Sequence, residues 1–191
     1  MPTDEQLTTW CERLRASDAQ ALEQLFDAFY GPLCRYARSL LSHPAAAPDI
    51  VQEVFVKVWE MRDALDPSRS VRALLYRMTR NRAYNHQRDR SVRQANHRTL
   101  PDDTAATPSA LDLPDEAYAS DQLADRLEEW IDRLPDRQRE ALQLSRYEGL
   151  SHDEVAEVME ISPRTVNNHL VRALNTLRDR IRDYEPELLD A

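Results

Sequence analysis

Residues 149–170 read GLSHDEVAEVMEISPRTVNNHL and carry the boundary signals of two consecutive helices. Ser151 is followed three residues later by Glu154, which is the pairing of a capping box at a helix start. Ser162 suits the residue just before a helix, and Pro163 suits the first position inside it. A three-residue turn with an isoleucine at its centre separates the two segments. The stretch therefore predicts a helix-turn-helix.

The second helix of this motif has an apolar side and a polar side. Its spacing predicts a buried stripe of Val166, Leu170, Ala173, Leu174, Leu177 and Ile181. The opposite face is rich in arginine and asparagine, whose side chains pair with guanine and adenine edges in the major groove. Because the first residues of a recognition helix meet bases, we expect DNA contacts from Arg164, Thr165, Asn167, Asn168, His169 and Arg172. A helical hairpin with a solvated polar face is the alternative interpretation.

Hydrophobic residues at helical spacing predict further helices along the chain. Glycine occurs only 2 times, which favours helices over a β-rich fold. The predicted helices before residue 91 are Asp4–Arg15, Ala19–Leu41, Asp49–Trp59 and one that follows the loop 62–70 and ends near Arg90. Two more are predicted before the helix-turn-helix, over 123–134 and from Pro135 through Arg146.

The hydrophobic period fails between residues 90 and 120, where prolines stand among Asp, Thr, Ser and Ala. Such a composition is typical of a flexible linker. The predicted fold class is therefore all-α, with two small helical domains on a flexible acidic tether. The predicted boundaries are domain 1–90, linker 91–120, domain 121–184 and C-terminal tail 185–191. How the two domains are placed in the free protein does not follow from the sequence.

The net charge of −9 is unevenly distributed. Residues 99–136 hold eleven acidic residues and two arginines, and this segment alone accounts for the entire net charge of −9. Residues 69–98 hold nine arginines against a single acid, Asp89. Because a local basic face governs phosphate contact more than net charge does, the composition remains compatible with a nucleic-acid-binding protein.

Several other classes of protein lack support in the sequence. No stretch approaches the ~18–20 apolar residues of a membrane span, and the N-terminus has no secretory pattern. Cys11 and Cys34 lack metal-ligand spacing and are expected to be reduced thiols in the cytoplasm. The sequence has no Gly-rich phosphate loop, nucleophile elbow or HExxH motif, and no carboxylate lies in an apolar setting that would tune its pKa. We expect no enzyme, no metal and no organic cofactor.

Three stretches resemble regions of bacterial sigma factors. DIVQEVFVKVW at 49–59 resembles region 2.2, LLYRMTRNRAYNHQR at 74–88 resembles the region 2.3–2.4 helix, and residues 134–178 resemble region 4. These stretches follow the order of the family, and no separate region 3 lies between them. The chain is therefore similar to the minimal extracytoplasmic-function (ECF) group of the sigma-70 family, with 1–90 as the region 2 helical bundle and 121–184 as region 4.

The resemblance implies a protein that binds core RNA polymerase and directs transcription initiation at −10 and −35 promoter elements. Region 2.2 would dock on the clamp coiled coil of the largest polymerase subunit, and the polymerase flap is a second expected contact. The docking residues are then Asp49, Gln52, Glu53, Phe55, Lys57, Trp59 and Glu60. The acidic linker would run through the active-site and RNA-exit channels of the polymerase.

The resemblance also assigns the −10 element. In the family, two asparagines of an N-x-x-x-N pattern and the loop before them hold a base flipped from the non-template strand, and Asn81 and Asn85 match that pattern. The −10 residues are then Asp66, Ser68, Arg69, Ser70, Arg77, Asn81, Tyr84, Asn85 and Arg88. For Tyr76 we expect packing rather than base stacking.

Two questions stay open at this point. An anti-sigma factor is an expected partner, although no residue identifies it, and the run Asn167-Asn168-His169 replaces a basic pair that is frequent in the family. The segment ISPRTVNNHL also resembles the helix-turn-helix of LuxR-type regulators. A LuxR-type protein would need a receiver or ligand-binding domain upstream, and the helical pattern of residues 1–90 counts against one.

Overall fold

The computed structural model describes residues 2–96 and 118–184, and the regular elements of both ranges are helical. We call these ranges the N-terminal half and the C-terminal half. The N-terminal half contains α1 (Asp4–Arg15), α2 (Ala19–Leu40), α3 (Ala47–Glu60) and α4 (Val71–Asn96), with 3-10 turns at Pro44–Ala46 and Arg62–Ala64. The C-terminal half contains α5 (Tyr118–Asp132), α6 (Asp136–Leu142), a π-helical turn (Gln143–Tyr147), α7 (His152–Met159) and α8 (Pro163–Tyr184). The predicted all-α fold is confirmed.

Helix α2 lies at the centre of the N-terminal half and packs against α1, α3 and α4. Its buried residues recur at helical spacing, which is why the apolar pattern predicted this helix: Ala21, Leu25, Phe29, Leu33, Cys34, Tyr36 and Ala37. Helix α3 contributes Val51, Val54 and Val58 to the same core. This core holds α3 and α4 side by side and leaves their polar faces at the surface.

The helix-turn-helix begins and ends at the residues that the sequence indicates. The Ser151 hydroxyl accepts a hydrogen bond from the Glu154 N–H at 3.2 Å, and the Glu154 carboxylate accepts one from the Ser151 N–H at 2.9 Å. The Ser162 hydroxyl accepts from the Thr165 N–H at 3.1 Å and so caps α8. Between the helices, Glu160 has a left-handed backbone with φ of 56°. The predicted capping box and turn are confirmed.

Helix α3 extends beyond its predicted ends by two residues at its start and one at its end, and two other helices extend further. Helix α4 continues past Arg90 to Asn96, because the residues that follow Arg90 include neither proline nor glycine and a helix does not need an apolar stripe to persist. Helix α5 begins at Tyr118, inside the stretch predicted as linker. Residues 97–117, which form most of the predicted linker, and the tail 185–191 lie outside the described residues.

The helix predicted from Pro135 through Arg146 is wrong in its second half. The α-helix ends at Leu142, and residues 143–147 form a π-helical turn that the Glu148 N–H closes on the Gln143 carbonyl at 3.1 Å. Gly149 follows with φ of 68°, a conformation that glycine adopts without steric cost. A π turn inserts a residue without changing the hydrophobic pattern much, so the sequence carries no clear signal for it.

The two halves pack against each other, with α4 lying along α7. Within the described ranges, the side-chain hydrogen bonds and ion pairs that join them come from four glutamates of the C-terminal half: Glu140, Glu148, Glu154 and Glu157. The sequence left this placement open. The contact brings the N-terminal end of α4 beneath the helix-turn-helix.

Candidate nucleic-acid interface

The outer face of α8 presents the predicted −35 residues as a group. Val166, Leu170, Ala173 and Leu177 are buried, and the residues opposite them form the exposed set Arg164, Asn167, Asn168 and Arg172. Within this set, Arg164, Asn168 and Arg172 lie four residues apart, so they follow one another along one face of the helix. This arrangement places donors and acceptors where a major groove could receive them.

Thr165 and His169 are less available than their neighbours on α8. Both are half-buried, and the Thr165 hydroxyl lies 2.8 Å from the Ser162 hydroxyl at the helix cap. Thr165 therefore contributes to the start of α8 as well as to its surface. The exposed arginines and asparagines are the stronger candidates for contacts with bases.

The C-terminal part of α4 presents the predicted −10 asparagines. Asn81, Asn85 and Arg88 are exposed and lie on one side of the helix. Tyr84 is partly exposed, and the Arg80 guanidinium lies 4.7 Å from the centre of its ring. Amide side chains beside an aromatic ring can hold and stack an unpaired base.

The loop before α4 is ordered by its own side chains. The Asp66 carboxylate accepts hydrogen bonds from the Ser68 hydroxyl at 2.7 Å and the Ser68 N–H at 3.0 Å, which lower the pKa of Asp66. The Ser70 hydroxyl accepts from the Ala73 N–H at 3.1 Å and so caps the start of α4. The loop therefore has a defined shape before any ligand binds.

Three of the predicted −10 residues contact the C-terminal half. The Ser70 hydroxyl donates to the Glu154 carboxylate at 2.6 Å. Arg77 and Arg69 lie 3.1 Å and 3.8 Å from the Glu157 carboxylate. Burial raises the pKa of Glu154, but the hydrogen bonds from Ser70 and Ser151 outweigh it, so that pKa is lowered overall. The predicted −10 surface is thus divided into an exposed part and a covered part.

The predicted docking residues on α3 also divide into two groups. The exposed group consists of Asp49, Gln52, Glu53, Lys57 and Glu60, within which Lys57 pairs with Glu60 at 3.2 Å. Glu53 pairs with Arg82 of α4 at 2.9 Å. Trp59 is half-buried, and Phe55 is only 4% exposed with its ring centre 5.0 Å from that of Phe26. Phe55 is therefore a core residue that reaches the surface only at its edge.

An apolar groove surrounds that edge, and sequence reasoning missed part of it. The groove is lined by Leu22, Phe26, Gln52, Phe55, Val56 and Trp59. Val56 is 59% exposed, the largest exposure of an apolar side chain in this groove. Val56 falls outside the apolar stripe that the spacing of α3 predicts, and an apolar residue on the polar side of an amphipathic helix was the available signal.

Two carboxylates are buried between the halves, contrary to the expectation that none lies in an apolar setting. Glu140 is 4% exposed and accepts hydrogen bonds from the Tyr36 hydroxyl at 2.9 Å and from Arg80 Nε at 2.7 Å. Glu148 is 1% exposed and accepts from the Tyr76 hydroxyl at 2.8 Å. Burial raises the pKa of Glu148 and of both tyrosines. Tyr76 is fully buried, as its predicted packing role requires.

Comparison with known proteins identifies the two halves. Residues 25–93 match the family model for sigma-70 region 2, and residues 124–177 match the model for sigma-70 region 4. The ECF RNA polymerase sigma factor SigL of Mycobacterium tuberculosis is 31% identical over 166 residues, which cover 85% of this chain and 90% of SigL. The chain belongs to the ECF sigma factors of the sigma-70 family.

Further relatives of this ECF sigma factor agree with that assignment. SigW of Bacillus subtilis is 25% identical over 181 residues, covering 90% of this chain and 95% of SigW. Two solved structures share the fold with a TM-score of 0.64 each. CnrH, in complex with the cytosolic domain of CnrY, is 22% identical over 94% of this chain and 99% of its own. RpoE of Bartonella quintana, in complex with the anti-sigma factor NepR, is 23% identical over 84% of this chain and 96% of its own.

This ECF sigma factor is an RNA polymerase sigma factor, and the LuxR-type alternative is not supported. That alternative required a receiver or ligand-binding domain before the helix-turn-helix, whereas the N-terminal half matches sigma region 2. Within residues 2–96 and 118–184, none of the helices combines the length and the apolar character that crossing a membrane requires. The same residues contain no cluster of three or more potential metal ligands.

Proposed function

We propose that this ECF sigma factor docks on core RNA polymerase through α3 and directs it to promoters read by α8 at the −35 element and by α4 at the −10 element. It contributes recognition rather than catalytic chemistry and works in the cytoplasm. One observation carries the proposal. Arg164, Asn168 and Arg172 are exposed as a set on the side of α8 opposite its buried stripe.

The −35 assignment follows from the chemistry of that face. Arginine pairs with guanine and asparagine with adenine through two hydrogen bonds each, so these side chains can discriminate base pairs. The helix-turn-helix presents the first turns of α8, where Arg164 and Asn168 lie, away from the core. Because Asn167-Asn168-His169 replaces a basic pair that is frequent in the family, the preferred −35 sequence has to be measured for this chain.

The −10 assignment concerns a base that leaves the duplex. Asn81 and Asn85 lie one helical turn apart on the exposed side of α4, and the Tyr84 ring lies between them in sequence. Their amides can pair with the edges of a flipped base, and an aromatic ring can stack on it. The ordered loop Asp66–Ser70 would form the other wall of this pocket.

The docking assignment relies on the α3 groove. Its apolar floor carries Val56 and the edges of Phe55 and Trp59, and the charged residues Glu53 and Lys57 lie beside it. An apolar centre with a charged rim is the usual composition of a specific protein interface. The clamp coiled coil of the largest polymerase subunit is the proposed occupant.

An anti-sigma factor is the remaining proposed partner. RpoE, which shares the fold of this chain, is described in complex with the anti-sigma factor NepR, and CnrH is described in complex with the cytosolic domain of CnrY. We extend that mode of regulation to this ECF sigma factor. The sequence of its own partner has to come from experiment.

Reconstitution with bacterial core RNA polymerase tests the proposed function. The purified chain should bind the core enzyme and initiate transcription from a subset of a random promoter library, and sequencing of that subset gives both promoter elements. Val56→Glu should abolish core binding, because it places a charge in the groove. Val92→Glu is the matched control, since Val92 is 54% exposed outside that groove. DNA binding without core binding would refute the proposal.

A further inference from the structure

Val171 is an exposed apolar side chain on α8. Its side chain belongs to a residue that is 47% exposed, whereas the other aliphatic residues of α8 are buried or half-buried. The helix itself does not require a valine at this position, because a β-branched residue loses side-chain freedom in a helix and has a lower helix propensity than alanine or arginine. The apolar surface of Val171 is therefore free to contact a ligand, since the core does not use it.

Val171 lies within the face of α8 that carries the predicted −35 residues. It follows Arg164 by seven positions, Asn167 by four and Asn168 by three, and these spacings fall on one side of a helix. Asn175, one turn further along, is exposed as well. The valine is thus surrounded by polar side chains of the same outer face, and it lies opposite the buried stripe.

The span of this face corresponds to a few base pairs. Arg164 and Val171 are seven residues apart, which is about 10 Å along the axis of an α-helix. Neighbouring bases of one DNA strand are about 3.4 Å apart along the duplex. A helix that lies in the major groove and brings Arg164 to one base therefore brings Val171 to a base within about three steps of it.

One group in the major groove matches a valine. Thymine carries a 5-methyl group there, whereas the other base edges are distinguished by hydrogen-bond donors and acceptors. The side chain of Val171 can neither donate nor accept a hydrogen bond, so over a polar edge it would displace water without replacing the lost bonds. Against a thymine methyl, both apolar surfaces leave water, which is favourable.

The surroundings of Val171 fit a base better than they fit a protein partner. Val56, the exposed valine of α3, lies in a groove with several apolar neighbours, as the centre of a protein interface requires. The neighbours of Val171 on its face include Asn168 and Arg172, which are polar. A single valine among polar side chains matches a single methyl group among polar base edges.

We propose that Val171 contacts the 5-methyl group of a thymine in the −35 element and thereby selects thymine at that position. The proposal rests on the −35 assignment of α8 made above. Arg164 and Asn168 select bases through hydrogen bonds, and Val171 adds one position that is selected through apolar contact. The preferred −35 sequence should therefore contain a thymine within about three base-pair steps of the base that Arg164 contacts.

Replacement of thymine by deoxyuridine tests this contact, because uracil pairs as thymine does and lacks only the 5-methyl group. The probe is a fluorescein-labelled promoter from the library selection, bound by reconstituted holoenzyme. Unlabelled promoters in which each −35 thymine is replaced singly by deoxyuridine compete for the holoenzyme. At one position the replacement should weaken binding by the wild type about 4-fold, as the burial of roughly one methyl group implies.

Two variants of Val171 separate a base contact from a role in the helix. Val171→Ser removes both methyl groups and should bind the thymine and deoxyuridine promoters equally. Val171→Thr keeps one methyl group in the same place and should retain the preference for thymine. Valine, serine and threonine have similar helix propensities, so α8 is preserved in both variants. The matched control is Val92→Ser, because Val92 is 54% exposed on α4, away from α8.

The outcomes distinguish this contact from the −35 assignment. A thymine preference in the wild type, Val171→Thr and Val92→Ser, with none in Val171→Ser, supports the proposal. An equal preference in the wild type and Val171→Ser overturns it, and so does a −35 element in which no thymine methyl affects binding. If Arg164→Ala and Asn168→Ala still lose base preference in that case, only the role of Val171 is wrong. If they keep it, the −35 assignment of α8 fails and the contact fails with it.

Discussion

The outer face of α8 and the basic face of α4 contain the same kinds of side chain but differ in what covers them. On α8, Arg164, Asn168 and Arg172 face away from the protein. On α4, Arg77 is paired with Glu157 and Arg80 is buried against Glu140, whereas Asn81 and Asn85 are exposed. Composition identifies both faces as basic. Only the packing of the halves shows that one of them is partly neutralised.

The difference teaches that net charge on a surface depends on the conformation of the chain. Acidic residues are concentrated before and within the C-terminal half, and four of them reach arginine, tyrosine or serine side chains of the N-terminal half. A protein with a net charge of −9 thus has a nucleic-acid surface that its own acids can cover. The predictions below test this contrast, beginning with the largest expected effect.

Glu140→Ala should destabilise the protein most. The change leaves Arg80 and the Tyr36 hydroxyl without their shared acceptor, and removing one partner of a buried pair costs about 3–5 kcal/mol. Urea denaturation followed by circular dichroism measures the free energy of unfolding. Asp136→Ala is the control, because its pair with Arg139 is exposed and such pairs are worth about 1 kcal/mol or less. Equal losses for both variants would show that the bonds of Glu140 to Tyr36 and Arg80 stabilise the protein no more than an exposed ion pair does.

Asn81→Ala and Asn85→Ala should impair promoter opening and leave core binding intact. Each change removes an amide that we expect to pair with the flipped base, which corresponds to about 1–3 kcal/mol. Permanganate footprinting of reconstituted holoenzyme measures the opened −10 region. His86→Ala is an exposed control on the same helix. A normal footprint in both asparagine variants would remove α4 from the −10 assignment.

Arg164→Ala and Asn168→Ala should weaken −35 recognition by about 1–3 kcal/mol each, because each removes a base contact. Competition between the selected −35 duplex and duplexes with single base changes measures the effect. The loss should be the same in the wild type and in Glu154→Gln/Glu157→Gln, since the α8 face is exposed and both glutamates lie on α7. Retained preference at every base pair would show that another face of α8 reads the DNA.

The effects of mutating Arg77 and Glu157 on the free energy of unfolding should not be additive, because the two side chains form an ion pair. The effects of mutating Arg164 and Glu157 should be additive. The Arg77 guanidinium lies 3.1 Å from the Glu157 carboxylate in a half-buried position, so a double-mutant cycle should give a coupling energy of about 0.5–1 kcal/mol. Thermal or urea unfolding of Arg77→Ala, Glu157→Gln and the double variant supplies the cycle. If the two single mutations add within about 0.3 kcal/mol in the double variant, the ion pair contributes nothing measurable to stability.

Glu148→Gln should change the stability of the protein least, and the size of the change should depend on pH. Because burial raises the pKa of Glu148, its contribution to stability is complete below the ordinary pKa of a glutamate and is lost as pH rises through the raised value. Glutamine still accepts the Tyr76 hydroxyl proton, so the variant should match or exceed the wild type in melting temperature at neutral pH. That advantage should shrink as the pH falls toward the ordinary glutamate pKa. A variant that is less stable at neutral pH would show that the charge on Glu148 is favourable there.

Local features of this chain could be predicted from the sequence, and distant contacts could not. The caps of α7 and α8 depend on residues three positions apart, and Ser151, Glu154 and Ser162 predicted them correctly. The side chains of Glu140 and Glu148 find their partners 60 or more residues away in the chain, for which the sequence offers no pattern. Their burial was therefore predicted wrongly.

In the candidate site, too, the sequence predicted what a single helix determines and missed what depends on contacts between helices. Periodicity placed Asn81, Asn85 and the α8 arginines on exposed faces, because those faces are set by each helix alone. The covering of Arg77 depends on a second helix from the other half. Phe55 was expected at the docking surface for its aromatic ring, but packing against Phe26 places it in the core and leaves Val56 exposed.

The pairing of Arg69 and Arg77 with Glu157 has a consequence for ionic strength. Added salt screens partly exposed ion pairs and so favours separation of the halves, while it also weakens the contact of arginine with DNA phosphates. In the free sigma factor these two effects oppose each other. If core polymerase holds the halves apart, only the second effect remains in the holoenzyme. The affinity of the free protein for −10 DNA should therefore vary less with salt concentration than that of the holoenzyme.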